Sequence, residues 1–158
     1  MNLLAWLEST SLAIWVHESP SIWAQPTVMT LHTMGMGILV GASWLIDLRL
    51  LGIACSIPVS AFRWVFRAVA VSLAVNATTG VLLFVGRAAT WGTSIPFFIK
   101  MAFVFASAAT LLPIRTYVMR SDVDDHDVTG SARQLAVISI VAWCCAVTAG
   151  RLLAYLVA

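Results

Sequence analysis

Four charge-poor runs, at 26–51, 62–86, 96–117 and 133–155, decide what this chain can fold into. A helix rises about 1.5 Å per residue, so about 20 apolar residues cross the roughly 30 Å hydrocarbon core of a bilayer. Each run meets that length. Hydrophobic residues make up 61% of the 158-residue chain and charged residues 10%, so there is too little charge to coat a soluble domain, and lipid must solvate the outer faces. The connections are short, and short connections join neighbouring helices antiparallel. The expected fold is all-α and integral to the membrane: one domain, residues 1–158, forming an up-down bundle of four transmembrane helices. Pro26 suits the first turn of its helix, where its missing N–H leaves nothing unpaired. Trp44 and Trp64 bracket the connection IACSIPVS, in which Pro58 and Ser60 end one helix and start the next.

Ahead of the first span, MNLLAWLESTSLAIWVHESPS is too short to cross a bilayer. It lacks the basic start and the small-residue cleavage site of a signal peptide and carries Glu8 in its middle. Trp6, Trp15, Glu8 and the hydroxyls of Ser9, Thr10 and Ser11 fit an amphipathic helix over 2–18, lying at the interface and capping one end of the bundle. Arg49, Arg63, Arg67, Arg115, Arg120 and Arg133 flank the first and third inter-span connections, whereas Arg87, Lys100 and Arg151 lie at the opposite ends. Six against three predicts that the first set is cytoplasmic and that both termini lie on the outer, periplasmic side. The basic residues sit where helix ends meet headgroups, and the net charge of +2 points to no nucleic-acid partner.

Neither the cysteines nor the acidic loop suggests a metal centre. Cys55 stands alone, and Cys144 and Cys145 are adjacent on a helix, pointing in different directions with no CxxC spacing; all three read as small buried hydrophobes. SDVDDHDVTG gathers four aspartates around His126. It lacks the glycine and glutamate positions of an EF-hand and reads as a solvated turn.

Polar side chains inside the spans carry the functional reading. Gln25, Met29, His32, Met36 and Ser43 recur along one helical stripe that should face the bundle, since an ionisable residue at membrane depth faces protein or water. Gly37 and Gly41 lie on the other side as a GxxxG pair, for close approach within the fold or in a homo-oligomer. On the second span Ser72, Asn76 and Thr79 form an inward stripe, and Asn76 needs partners. Cys144, Thr148, Arg151 and Tyr155 align on the fourth. His32, Arg87, Lys100 and Arg151 thus fall in one outer layer, below His17 and Glu18. Singly, each has a plain explanation: the cations snorkel to headgroups, the methionines pack, and His32 stitches two helices by bonding Asn76, Thr79 or a carbonyl. Together they present more cation than the local acids balance.

WLESTSLAIWVHES, Pro26, His32, Gly35 and Gly41, DLRLLG at 47–52, FFIKM at 97–101 and AGRLLAYL at 149–156 resemble a family of small four-span bacterial inner-membrane proteins that form a domain of unknown function. The resemblance implies a four-span membrane protein and no particular activity. Where that family carries a glutamate three residues before the histidine, this chain has Met29. In architecture alone the chain is similar to membrane cytochromes b and to copper-resistance membrane proteins.

Three readings follow. In an electron-transfer subunit, His32 and His17 would ligate haem b with Arg87, Lys100 and Arg151 at its propionates, or His32 and Asn76 would face a quinone carbonyl. In a non-enzymatic accessory or assembly subunit, those residues serve packing with other membrane subunits. In a Cu(I)-handling protein, Met29, His32 and Met36 would be soft ligands. The chain has no nucleophile paired with a base, no paired catalytic carboxylates and no phosphate loop, so no enzyme acting alone is expected.

Overall fold

The computed structural model describes residues 3–121 and 128–156, so the acidic stretch at 122–127 lies outside the described residues. The chain is all-helical. Two short helices, α1 (Leu3–Glu8) and α2 (Ser11–Glu18), precede α3 (Gln25–Leu50). A 3₁₀ turn, Val59–Trp64, leads into α4 (Val65–Val85). A single-turn helix α5 (Ala88–Trp91) separates α4 from α6 (Ile95–Arg120), and α7 (Gly130–Leu156) ends the fold. Four of these segments are long and apolar enough to cross a membrane, and together they make a four-span membrane bundle.

Two differences from the sequence reading have simple causes. The expected single helix over 2–18 is broken, because Thr10 adopts an extended conformation and its hydroxyl accepts from Ala13 N, starting α2 afresh. The 62–86 span begins with a full 3₁₀ turn behind Pro58. By contrast Pro113 sits inside α6 without ending it. Gly52 at φ +99° stops α3, with its N–H on the Arg49 carbonyl.

The pairing of named residues fixes the topology. His32 meets Thr79 while Gly35 meets Ser72, so α3 and α4 run antiparallel. Lys100 lies against Gly150, and Tyr117 reaches Thr129, so α6 and α7 do too. α3 and α7 form the central pair, with α4 along α3 and α6 along α7. The described ends of the chain, α1 and α7's last turn, therefore share one end with α2 and α5, called here the cap end. The 3₁₀ turn, the end of α3 and the start of α7 form the loop end.

The core runs along the α3–α7 seam. Ala132, Ala136, Ser139 and Ala146 keep α7 thin on its inner face, and Trp143, 1% exposed, fills the space this leaves beside Leu39, Ile46 and Leu50. Gly35 is the α3 glycine that faces α4: a Cβ there would just touch Val75 Cγ1 at 3.4 Å and the Ser72 carbonyl at 3.5 Å, so the seam has room for a small residue and not a larger one. Large apolar residues such as Ile38, Leu45, Val71, Phe105, Leu112 and Val141 point outward, as lipid contact requires. Exposed Trp6, Trp15 and Trp23 at the cap end and Trp64 at the loop end mark the two interfaces.

Candidate functional site

Two hydrogen bonds join α3 to α4 around His32. Its Nδ1 lies 2.9 Å from Thr79 Oγ1, and Asn76 Nδ2 donates to the His32 carbonyl at 2.8 Å. The Thr79 hydroxyl is also 2.7 Å from the Val75 carbonyl one turn back. With the hydroxyl proton on that carbonyl, Oγ1 accepts from Nδ1–H, and Nε2 keeps the lone pair. Gly80 makes room for the ring, as a Cβ there would stand 3.3 Å from His32 Cε1. The stitching role that the sequence allows for His32 is thus present, and Asn76 is spent in it.

One turn above His32 a cleft of about 230 Å³ opens at the cap end, between α2, α3, α4, α5 and α7. His17, Gln25 and Arg87 are its polar lining residues, and Met29, Leu83, Trp91 and Leu153 are among its apolar ones. Each polar residue arrives by a different element. His17 lies in the last turn of α2, which buries Ala13 and Val16. It packs beside Gly86, where a Cβ would be in van der Waals contact with His17 Cβ at 3.4 Å. Gln25 opens α3, and Arg87 sits at φ −139° between α4 and α5. Behind the cleft Phe84 stacks on Phe97 at 5.2 Å and Trp91 on Phe97 at 6.0 Å, stiffening the wall that Trp91 presents.

The structure therefore divides the residues picked from the sequence. His17, Arg87 and Met29 meet at the cleft, with Met29 47% exposed. His32 and Asn76 lie beneath it in the α3–α4 seam. Met36 packs on the hydrophobic core. Lys100 is half-buried against Gly150, within electrostatic range of His32. Arg151 is exposed, and Leu153 two residues on takes the cleft-lining position. Gly37 and Gly41 are exposed, with nothing within 4 Å of either Cβ position, so no close approach within the fold uses them. No group of three His, Cys, Asp or Glu side chains converges among the described residues.

Sequence reading passed over two features. Glu8 Oε1 accepts from Ala89 N at 2.8 Å, tying α1 to the first turn of α5; an acid over a helix start is favourable, and Glu8 was legible only as interfacial polarity. Asp47, at the loop end of α3, is 1% exposed and faces Ser139 of α7. Its burial depends on which way α3 is rotated against α7, and no local pattern carries that.

Comparison with family models, with curated proteins and with solved structures finds no match to the chain.

Proposed function

We propose that the protein is a membrane subunit of a redox or electron-transfer assembly and that it holds the headgroup of a lipid-soluble quinone in the cap-end cleft. The carrying observation is the composition of that cleft: imidazole, amide and guanidinium side chains against apolar wall. A quinone ring is flat and apolar, and its two carbonyl oxygens need donors, which these three side chains have. Volume favours this over haem. About 230 Å³ falls below the roughly 300–1,000 Å³ of sites that enclose whole cofactors or drug-sized ligands, which suits a single ring with its tail in lipid.

The proposal places the cap end on the periplasmic side of a bacterial inner membrane, on the strength of the arginine bias at the opposite end. It also includes association along the open Gly37 and Gly41 face, with a second copy or another subunit's span.

Photolabelling of the protein in lipid nanodiscs with an azidoquinone tests the reading. Adducts on the cleft elements that unlabelled quinone competes away, and that Arg87→Ala and Gln25→Ala reduce several-fold, are expected. Labelling that no quinone competes away would overturn it.

The His32 network favours a second reading, an accessory or assembly subunit with no cofactor. In that case His32→Ala lowers assembly, and the competable label is absent from the start.

A further inference from the structure

Among the described residues, buried hydroxyls in the spans follow a rule with one exception. Ser43 donates to the Leu39 carbonyl, Ser72 to Ala68, Ser107 to Phe103 and Thr110 to Ser107, so each is satisfied by its own helix. Ser139, fully buried on α7, makes no such bond. It lies beside the Asp47 carboxyl of α3, yet neither Ser139 Oγ nor Asp47 Oδ2 completes a hydrogen bond. One turn towards the membrane centre, the indole nitrogens of Trp44 on α3 and Trp143 on α7 are also buried without a partner. Asp47, Ser139 and Trp143 are each about 99% buried or more.

The chemistry of Asp47 Oδ2 and Ser139 Oγ narrows what they hold. A carboxylate oxygen only accepts, and a hydroxyl both donates and accepts. A metal cation would gain two oxygens, short of the six or more that a hard cation takes. An anion would meet the carboxylate. A proton on Oδ2 makes the carboxyl a donor to Ser139 Oγ and leaves no charge in the seam. The proton also requires no added volume, which matters where Leu39, Ile46 and Trp143 close the packing.

Among the described residues, no basic side chain pairs with the Asp47 carboxyl. Arg49 is two positions along α3, where helix side chains do not face each other, and its guanidinium bonds the Ile57 and Cys55 carbonyls. Arg63 bonds the Val118 and Ser121 carbonyls. Arg67 on α4 and Arg133 on α7 are exposed. The α2 groups His17 and Glu18 lie at the other end of the bundle.

We propose that Asp47, with Ser139 as its hydrogen-bond partner, is a membrane-buried proton-binding site at the α3–α7 seam, exchanging with the aqueous phase at the loop end. Asp47 is one turn from the end of α3. Towards the cap end, Leu39 and Val40 are buried and apolar, and His32 is about 22 Å away along the helix. Exchange therefore runs to one side only, separate from the quinone cleft.

Infrared spectroscopy of the full-length protein in lipid tests this through the carbonyl stretch of a protonated carboxylic acid. At neutral pH one such band is expected, shifted in ²H₂O and by ¹³C-carboxyl aspartate. It should vanish in Asp47→Asn and move in Ser139→Ala. Replacing Asp122, Asp124, Asp125 and Asp127 together by Asn should leave it in place, which assigns the band even where Asp47→Asn fails to fold. No neutral-pH band in the wild-type protein, a band lost with the four loop aspartates, or a band erased by Na⁺ at constant pH would overturn the proposal, the last by assigning a metal cation instead.

Discussion

Removing Thr79's hydroxyl should cost more than removing Asn76's amide, although both bonds join the same two helices. Asn76 Nδ2 donates to the His32 carbonyl, which already accepts the regular bond from four residues on. Asn76→Ala thus deletes one bond and strands nothing, at about 0.6–1.7 kcal/mol for an interhelical hydrogen bond in a membrane. Thr79→Val keeps the shape but takes the acceptor from His32 Nδ1. The ring N–H is then left without a partner in a half-buried site, at about 1–3 kcal/mol. His32→Leu removes that donor, so Thr79→Val in the His32→Leu background should cost only the local bond to Val75, and the double-mutant cycle should show a coupling of about 1 kcal/mol. Steric-trapping or SDS-titration unfolding in bicelles reads all four variants. Equal costs for Thr79→Val in both backgrounds would refute the assignment of Nδ1 as a donor to Thr79.

Other changes follow from the packing. Gly35→Val should destabilise by about 1–3 kcal/mol, since its side chain must displace Val75 and the Ser72 carbonyl, whereas Gly37→Ala should leave monomer unfolding unchanged in the same titration. Ala54 is held at φ 58°, so Ala54→Gly should stabilise the turn after α3 by about 1 kcal/mol, read in the same bicelles. Gly92→Ala places a Cβ 2.6 Å from the Ala88 carbonyl and 3.0 Å from Leu4. With Glu8→Ala it should free α1 from α5, seen as faster amide exchange over 3–8 and 88–92 with α3, α4, α6 and α7 unaffected.

What the sequence made legible is what lipid enforces along one chain segment. The spans were readable to within a few residues because every backbone group in hydrocarbon must be bonded inside its own helix, and apolar length records that directly. The inward turn of His32 and Asn76 was readable for a related reason: each needs a partner, and helical spacing placed Thr79 within reach. Which glycine makes the close contact was not. Gly35, Gly37 and Gly41 differ only by rotation about α3, and the partner surface on α4 chooses Gly35. Arg151 and Leu153 differ by about half a turn in the same way, and the seating of α2 and α5 decides which one meets the cleft. The break at Thr10 was present locally, in the run of Ser9, Thr10 and Ser11, but was outweighed by the apolar residues on both sides.

The same solvent argument separates polar residues that need no explanation from those that do. A serine in a span that donates back to its own helix, as Ser43, Ser72 and Ser107 do, is invisible to its neighbours and carries no functional weight. His32 and Asn76 are satisfied across a seam and bind α3 to α4. Asp47 and Ser139 belong to neither class, because each has a helix carbonyl nearby or a donor beside it and Oδ2 and Oγ remain without a bond. In water such atoms would be solvated at no cost. In a seam closed by Trp143 and Leu39, a retained carboxyl implies a ligand small enough to enter without room, and the proton is the one that fits.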